Sequence, residues 1–140
     1  MKKVLLVVVL VVVGVFGVTN YIDNQSEKTA YEVEYIVRSS TVGNNQKMGA
    51  VLDSYFYSTT WLAKEDGDDY EVKFEGKSII EDEVCITVIV FDVDKDSGTS
   101  VLSFMGIIGD NTSVPYMTQE EIDASMSSIA QAVENGNRGY

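Results

Sequence analysis

The residues of this 140-residue chain best suited to chemistry lie in the stretch "DVDKDSG". Asp92, Asp94 and Asp96 occupy positions 1, 3 and 5 of a calcium-loop pattern, in which alternating side chains converge hard oxygens on one ion. The rest of the pattern departs: Ser97 stands where the loop's glycine belongs, and Ser103 where a bidentate glutamate would close the shell. The same residues also make an ordinary hairpin turn, with Gly98 taking a positive φ. Calcium is therefore the one cofactor these residues suggest, and a solvated turn is the plain alternative. A paired-carboxylate hydrolase is the only enzyme class the residue inventory permits. It needs two acids at a set separation in a cleft, one with its pKa raised by burial. The acids here fall in turns or on strand faces turned to water, so no enzyme is expected.

Absent residue types exclude more. The chain has no histidine, which removes Ser-His-Asp and Cys-His catalysis, histidine metal sites and histidine pH switches. Its single cysteine, Cys85, rules out an internal disulfide and a cysteine zinc site. Lying in an apolar run, it reads as a small buried hydrophobe. Trp61 with Tyr55, Phe56 and Tyr57 forms an aromatic cluster. Exposed, it would stack on glycans or peptides; at this near-helical spacing it also suits core packing. Tyr57 falls outside the helical stripe and is the member expected at the surface.

The chain opens "MKKVLLVVVLVVVGVFGVTNY". Lys2 and Lys3 precede fifteen residues, Val4 to Val18, without one polar side chain, which is the pattern of an export signal. As a helix that run reaches only about 22 Å; extended to Ile22 it reaches about 28 Å, close to the roughly 30 Å apolar core of a bilayer. Residues 1–22 thus read as a retained single-pass anchor or as a signal cleaved after Gly17. A core helix is a third reading, disfavoured because the run is apolar all round. The lysines put the N-terminus inside and the domain outside. Cleavage would make it a secreted domain.

From Thr19 on, eight basic residues face 22 acidic ones, a formal charge of −14. That argues against nucleic acid, whose phosphates need Lys and Arg, and against anionic lipid headgroups. Solubility is the simplest role for the acidity.

Periodicity then places the elements. Residues 23–29 read as a polar tether, 30–134 as an α+β domain and 135–140 as a frayed tail. Tyr31, Val33, Tyr35 and Val37 alternate with Glu32, Glu34 and Arg38, predicting a strand with one buried face. Met48, Val51, Leu52, Tyr55 and Phe56 recur at helical spacing, with Asn44 or Asn45 as the expected N-cap. Four strands follow, at "TTWLAK", "YEVKFEG", "VCITVIVFDV" and "TSVLSFMGII". The third is apolar on both faces and should be central. Thr118 and Glu121 form a capping box for a last helix along Ile122, Met126, Ile129 and Val133. Short turns favour a four- to five-stranded antiparallel meander, with two amphipathic helices on one face and the hydrophobic N-terminal helix before it. In a meander "EDGDD", with Asp66, Asp68 and Asp69, shares an end of the sheet with "DKDSG", about 9.6 Å away across two strand spacings.

"KMGAVLDSYFYSTTW" and, further on, "VKFEG" resemble a family of small exported or membrane-anchored bacterial proteins, mostly Gram-positive, of no established function. Its helix reads Thr-Ile-Gly-x-Ala-Phe-x-x-Phe-Phe, followed by a nearby Trp and a strand Val-x-Phe-x-Gly. Met48, Gly49, Val51, Leu52, Tyr55, Phe56, Trp61, Val72, Phe74 and Gly76 stand at the matching positions. Lys47 replaces the family's Thr, so helix capping must pass to another residue. The resemblance implies a domain outside the membrane, often behind an N-terminal transmembrane segment, and brings no catalytic residues.

The expectation is a non-catalytic, membrane-anchored extracellular domain that binds a protein or envelope component, with Tyr57, Trp61, Asp66, Asp68 and Asp69 as candidate contacts. Two alternatives stand beside it. One is a structural subunit that oligomerises through its N-terminal helices. The other is an acidic inhibitor or immunity-type protein masking a basic surface.

Overall fold

A computed structural model describes residues 27–140. The apolar run Val4–Val18 and the first part of the expected tether lie outside the described residues. The order is α1 (Glu27–Ser39), β1 (Thr41–Val42), β2 (Gln46–Lys47), α2 (Met48–Tyr55), β3 (Tyr57–Asp66), β4 (Asp69–Ile80), β5 (Glu83–Asp94), β6 (Thr99–Ile108), β7 (Ser113–Val114) and α3 (Gln119–Glu134). Strands β3 to β7 form a five-stranded antiparallel meander in sequence order, and β1 pairs with β2 in a separate small hairpin. No helix of the described residues is long and apolar enough to cross a membrane.

The sequence at 31–38 misleads. It is the helix α1, and Glu27, Lys28 and Thr29, read as tether, already belong to it. Two periods coexist there. Val33 and Val37 are wholly buried one turn apart, with Ile36 packed beside them, whereas Tyr31 and Tyr35 stay 70% and 62% exposed. A strand would have put all four on one face; a helix sends the tyrosines to solvent. Hydroxyls end the helix: Ser39 Oγ donates to the Tyr35 carbonyl and Ser40 Oγ to that of Val37, satisfying acceptors the last turn leaves over. The meander's fifth strand is therefore the two-residue β7, and the described helices number three.

All three helices pack on one face of the sheet. That face presents Val72 and Phe74 of β4, Ile89, Phe91 and Val93 of β5, and Met105 of β6. Onto them fold Val33 and Val37 of α1, Val51 and Leu52 of α2, Phe56 just past it, and Ile122, Met126 and Ile129 of α3. β5 is central, between β4 and β6, as its two apolar faces require.

The helix ends differ in how they are capped. Thr118 and Glu121 make the expected capping box on α3. For α2 neither asparagine serves: Lys47 occupies the N-cap position without a side-chain bond, and the Met48 N–H goes to the Ser40 carbonyl at 2.8 Å. Residues 135–140 are docked instead of frayed. The Gly139 N–H donates to the Tyr55 carbonyl and its own carbonyl accepts from the Ile79 N–H, while Tyr140 lies edge-on to Tyr57 at 5.3 Å.

The β4–β5 connection is a two-residue turn in which Glu81 and Asp82 both hold positive φ, +51° and +64°. That geometry suits Asn-Gly; bulkier side chains are strained in it by about 1–2 kcal/mol per residue. Replacing both (Glu81→Asn with Asp82→Gly) should raise stability by about 1–2 kcal/mol, read as a higher urea midpoint at unchanged slope. An unchanged midpoint would show that the turn carries no strain.

Candidate functional site

The meander brings three acidic side chains from three adjacent strands together. Asp66 closes β3, Glu71 lies near the start of β4 and Asp92 near the end of β5, and their carboxylate oxygens fall within 4.8 Å of one another. Register explains this: Lys64 faces Glu71 across β3–β4, and Glu71 faces Asp92 across β4–β5, so their side chains share the face away from the helices.

Of the residues expected to bind calcium, only Asp92 joins the group. Asp94 is spent on its own turn, its Oδ1 accepting from the backbone N–H groups of Asp96 and Ser97 at 3.0 and 3.2 Å. Gly98 takes φ +68° and donates to the Asp94 carbonyl, so "DKDSG" is a hairpin turn. Asp68 is exposed in the β3–β4 turn, with Asp69 at the first position of β4. The shared end of the sheet holds as expected, but the group forms one strand further in, around Glu71.

The surroundings of Glu71 decide its chemistry. Burial pushes its pKa up; the nearby Lys64 ammonium, 3.4 Å away, opposes that, while the carboxylates of Asp66 and Asp92 add to it. This corrects the expectation that nothing raises a carboxylate pKa here. Three hard oxygens in reach of one another are the donor type that calcium or magnesium takes, although Lys64 already supplies a compensating charge. An acid raised by burial beside two other acidic side chains is also the arrangement from which acid–base pairs are built. Here, however, Asp66 and Asp92 are exposed to water.

The aromatic candidates are satisfied within the fold. Trp61 packs on Phe74 at 4.8 Å, its Nε1–H donates to Asp53 Oδ1 at 2.9 Å, and the Arg38 guanidinium lies 4.9 Å over its ring. Arg38 also pairs with Asp53, so the three side chains tie α1, α2 and β3 together. Tyr57 is half-buried against Tyr140. These are packing roles.

Compared with known proteins, the chain matches no family model, no curated protein and no solved structure.

A feature that residue spacing did not reveal is the outer face of the sheet, opposite the helices. Ile79 and Val84 are cross-strand neighbours there, 46% and 53% exposed, and Ile86 follows on β5 at 37%. Val88 and Val90 continue the row and are buried among Leu62 and Phe104, with Tyr116 edge-on to Phe104 and itself exposed. The signal was present in "VCITVIV", apolar at both parities, but centrality in the sheet explained it equally well.

Glu71 also sets a pH dependence. Its folded-state pKa lies above the unfolded value, so between the two the native state keeps a proton that the unfolded chain releases. Stability from this group is complete below the unfolded pKa and is lost as pH rises through the folded one. Glu71→Gln should therefore melt above wild type at pH 7, the gap closing as the pH falls to about 4. A gap independent of pH would place the effect elsewhere.

Proposed function

We propose that this chain is an exported, membrane-anchored extracellular domain that binds a protein or envelope component without catalysis, using the outer face of its sheet. One observation carries the reading: exposed Ile79, Val84 and Ile86 lie side by side on the face that the described helices leave open. A solvated antiparallel face ordinarily alternates to polar residues, and a grouped apolar patch is the usual mark of a docking surface. Export and anchoring rest on Lys2, Lys3 and the run Val4–Val18, in accord with the resemblance to small membrane-anchored bacterial proteins. With cleavage the same domain would act as a secreted binder.

A structural subunit is the second reading. Tyr31 and Tyr35 are exposed one turn apart on α1, the described element that follows the apolar run most closely. Aromatic side chains placed so would pack between copies.

The test places a photo-crosslinking residue at Val84, Tyr31 or Asp68 in intact host cells. A discrete adduct from Val84, lost when Ile86→Asp is added, supports the docking face. Adducts of doubled mass from Tyr31 alone would favour the subunit reading, and adducts from Asp68 alone an acidic inhibitor. Turnover of an envelope substrate, abolished by Glu71→Gln, would overturn the non-catalytic premise.

A further inference from the structure

The apolar patch of the outer face lies at one end of the sheet, and that end carries a charge of its own. Ile79 and Val84 are paired in register, and the next pair, Ile80 with Glu83, closes on the turn Glu81–Asp82. Glu81 and Asp82 are exposed beside the patch, and so is Asp110 in the β6–β7 loop. That loop reaches the same turn, because Glu83 Oε1 accepts from the N–H groups of Asn111 and Thr112. Two cations stand near. Lys77, opposite Ile86, is exposed. Arg138 of the docked tail is turned onto Tyr140, its Nη1 donating to the hydroxyl at 2.9 Å and its guanidinium 5.9 Å from the ring. The rim is acidic on balance around an apolar centre.

That rim decides between occupants. A second copy docking by the same patch would bring the same carboxylates face to face, on a domain whose formal charge from Thr19 on is already −14. An anionic lipid surface would be repelled in the same way. A protein segment with apolar side chains between basic ones gains on both counts, by covering the patch and by matching the rim. The turn itself gains nothing from its acids: Glu81 and Asp82 hold positive φ where backbone geometry suits Asn-Gly, and neighbouring carboxylates repel each other. We infer that the outer face receives a basic segment of a partner protein, with apolar side chains on Ile79, Val84 and Ile86 and flanking lysines or arginines over Glu81, Asp82 and Asp110. This names the partner of the docking face proposed above and rests on that reading.

The test uses the full chain in phosphatidylcholine nanodiscs, with methyl-labelled isoleucine and valine followed by NMR. The probes are two short peptides with a Leu-Val-Leu centre, one flanked by paired lysines and the other by paired glutamates. The lysine peptide should shift the Ile79, Val84 and Ile86 methyl signals saturably and leave Ile122, on α3, unmoved. The glutamate peptide should bind about tenfold more weakly. Glu81→Asn with Asp82→Gly should weaken the lysine peptide about fivefold, the worth of two exposed charge pairs, although the same change relieves the turn. Loss of binding there cannot then be loss of folding. Should that variant fail to fold, Asp110→Asn tests the same rim. Glu120→Gln with Asp123→Asn removes equal charge from the exposed side of α3 and should leave binding unchanged. Ile86→Asp should abolish the shifts. Two peptides binding alike at Ile79 and Ile86 would overturn the basic partner and leave the docking face standing. Neither peptide moving those signals would bring down both. An equal loss in the α3 variant would show attraction by overall charge alone and overturn the role of the rim.

Discussion

Phe74→Ala should lower the unfolding free energy by about 3–5 kcal/mol, the range for removing a buried phenylalanine ring. Phe74 is wholly buried on the helix side of β4, its ring 4.8 Å from Trp61 and 5.4 Å from Phe56. It is paired in register with Trp61 on one side and Ile89 on the other. Its loss would leave a cavity that three elements would have to close together, and β-strands held on both edges cannot collapse inward. A domain of this size has about 5–15 kcal/mol in total, so the variant should sit near its folding limit. Urea unfolding measures this directly, with Tyr35→Ala as the paired control. In the helix that Tyr35 occupies, its removal should cost within about 0.5 kcal/mol, as for other surface sites. Equal losses in the two variants would revive the strand reading of residues 31–38.

Gly76→Ala should cost about 2–3 kcal/mol for a single methyl group, at the upper end for overpacked cores. A Cβ at Gly76 would stand 2.6 Å from Phe56 Cγ and 2.7 Å from Phe74 Cζ. The constraint here is space: Phe56, at the exit of α2, lies directly over the β4 backbone. That gives a physical reason for glycine two residues after Phe74. Adding Phe56→Leu should recover part of the loss, because the two changes share one volume and cannot be additive. A double variant no better than Gly76→Ala alone would locate the strain elsewhere.

The meander was legible because its turns are written in the local sequence. "EDGDD", "EDE" and "DKDSG" separate four β-prone runs, and two-residue connections between long strands leave little topological choice. α3 was legible through Thr118, Glu121 and its stripe, all within sixteen residues of one another. The acidic group was half visible. Placing "EDGDD" and "DKDSG" at one end follows from topology, but Glu71 enters only once the register of three strands is known. Its raised pKa follows from burial and neighbouring charges, neither of which lies next to it in sequence.

The sequence by itself determined the acidic charge, the absence of histidine and disulfide chemistry, the antiparallel meander and the capped last helix. These depend on residue types and on contacts a few positions apart. Tertiary structure alone decided three things. It made α1 a helix, because Val33 and Val37 have a sheet to pack on and the tyrosines have solvent. It docked the C-terminal residues through backbone hydrogen bonds to Tyr55 and Ile79, which no side-chain pattern encodes. It also opened a cleft over Ser78 and Thr87, since a gap is set by how far α3 stands from the strands. Such distances come from packing summed over the whole core, and no local stretch of the chain contains them.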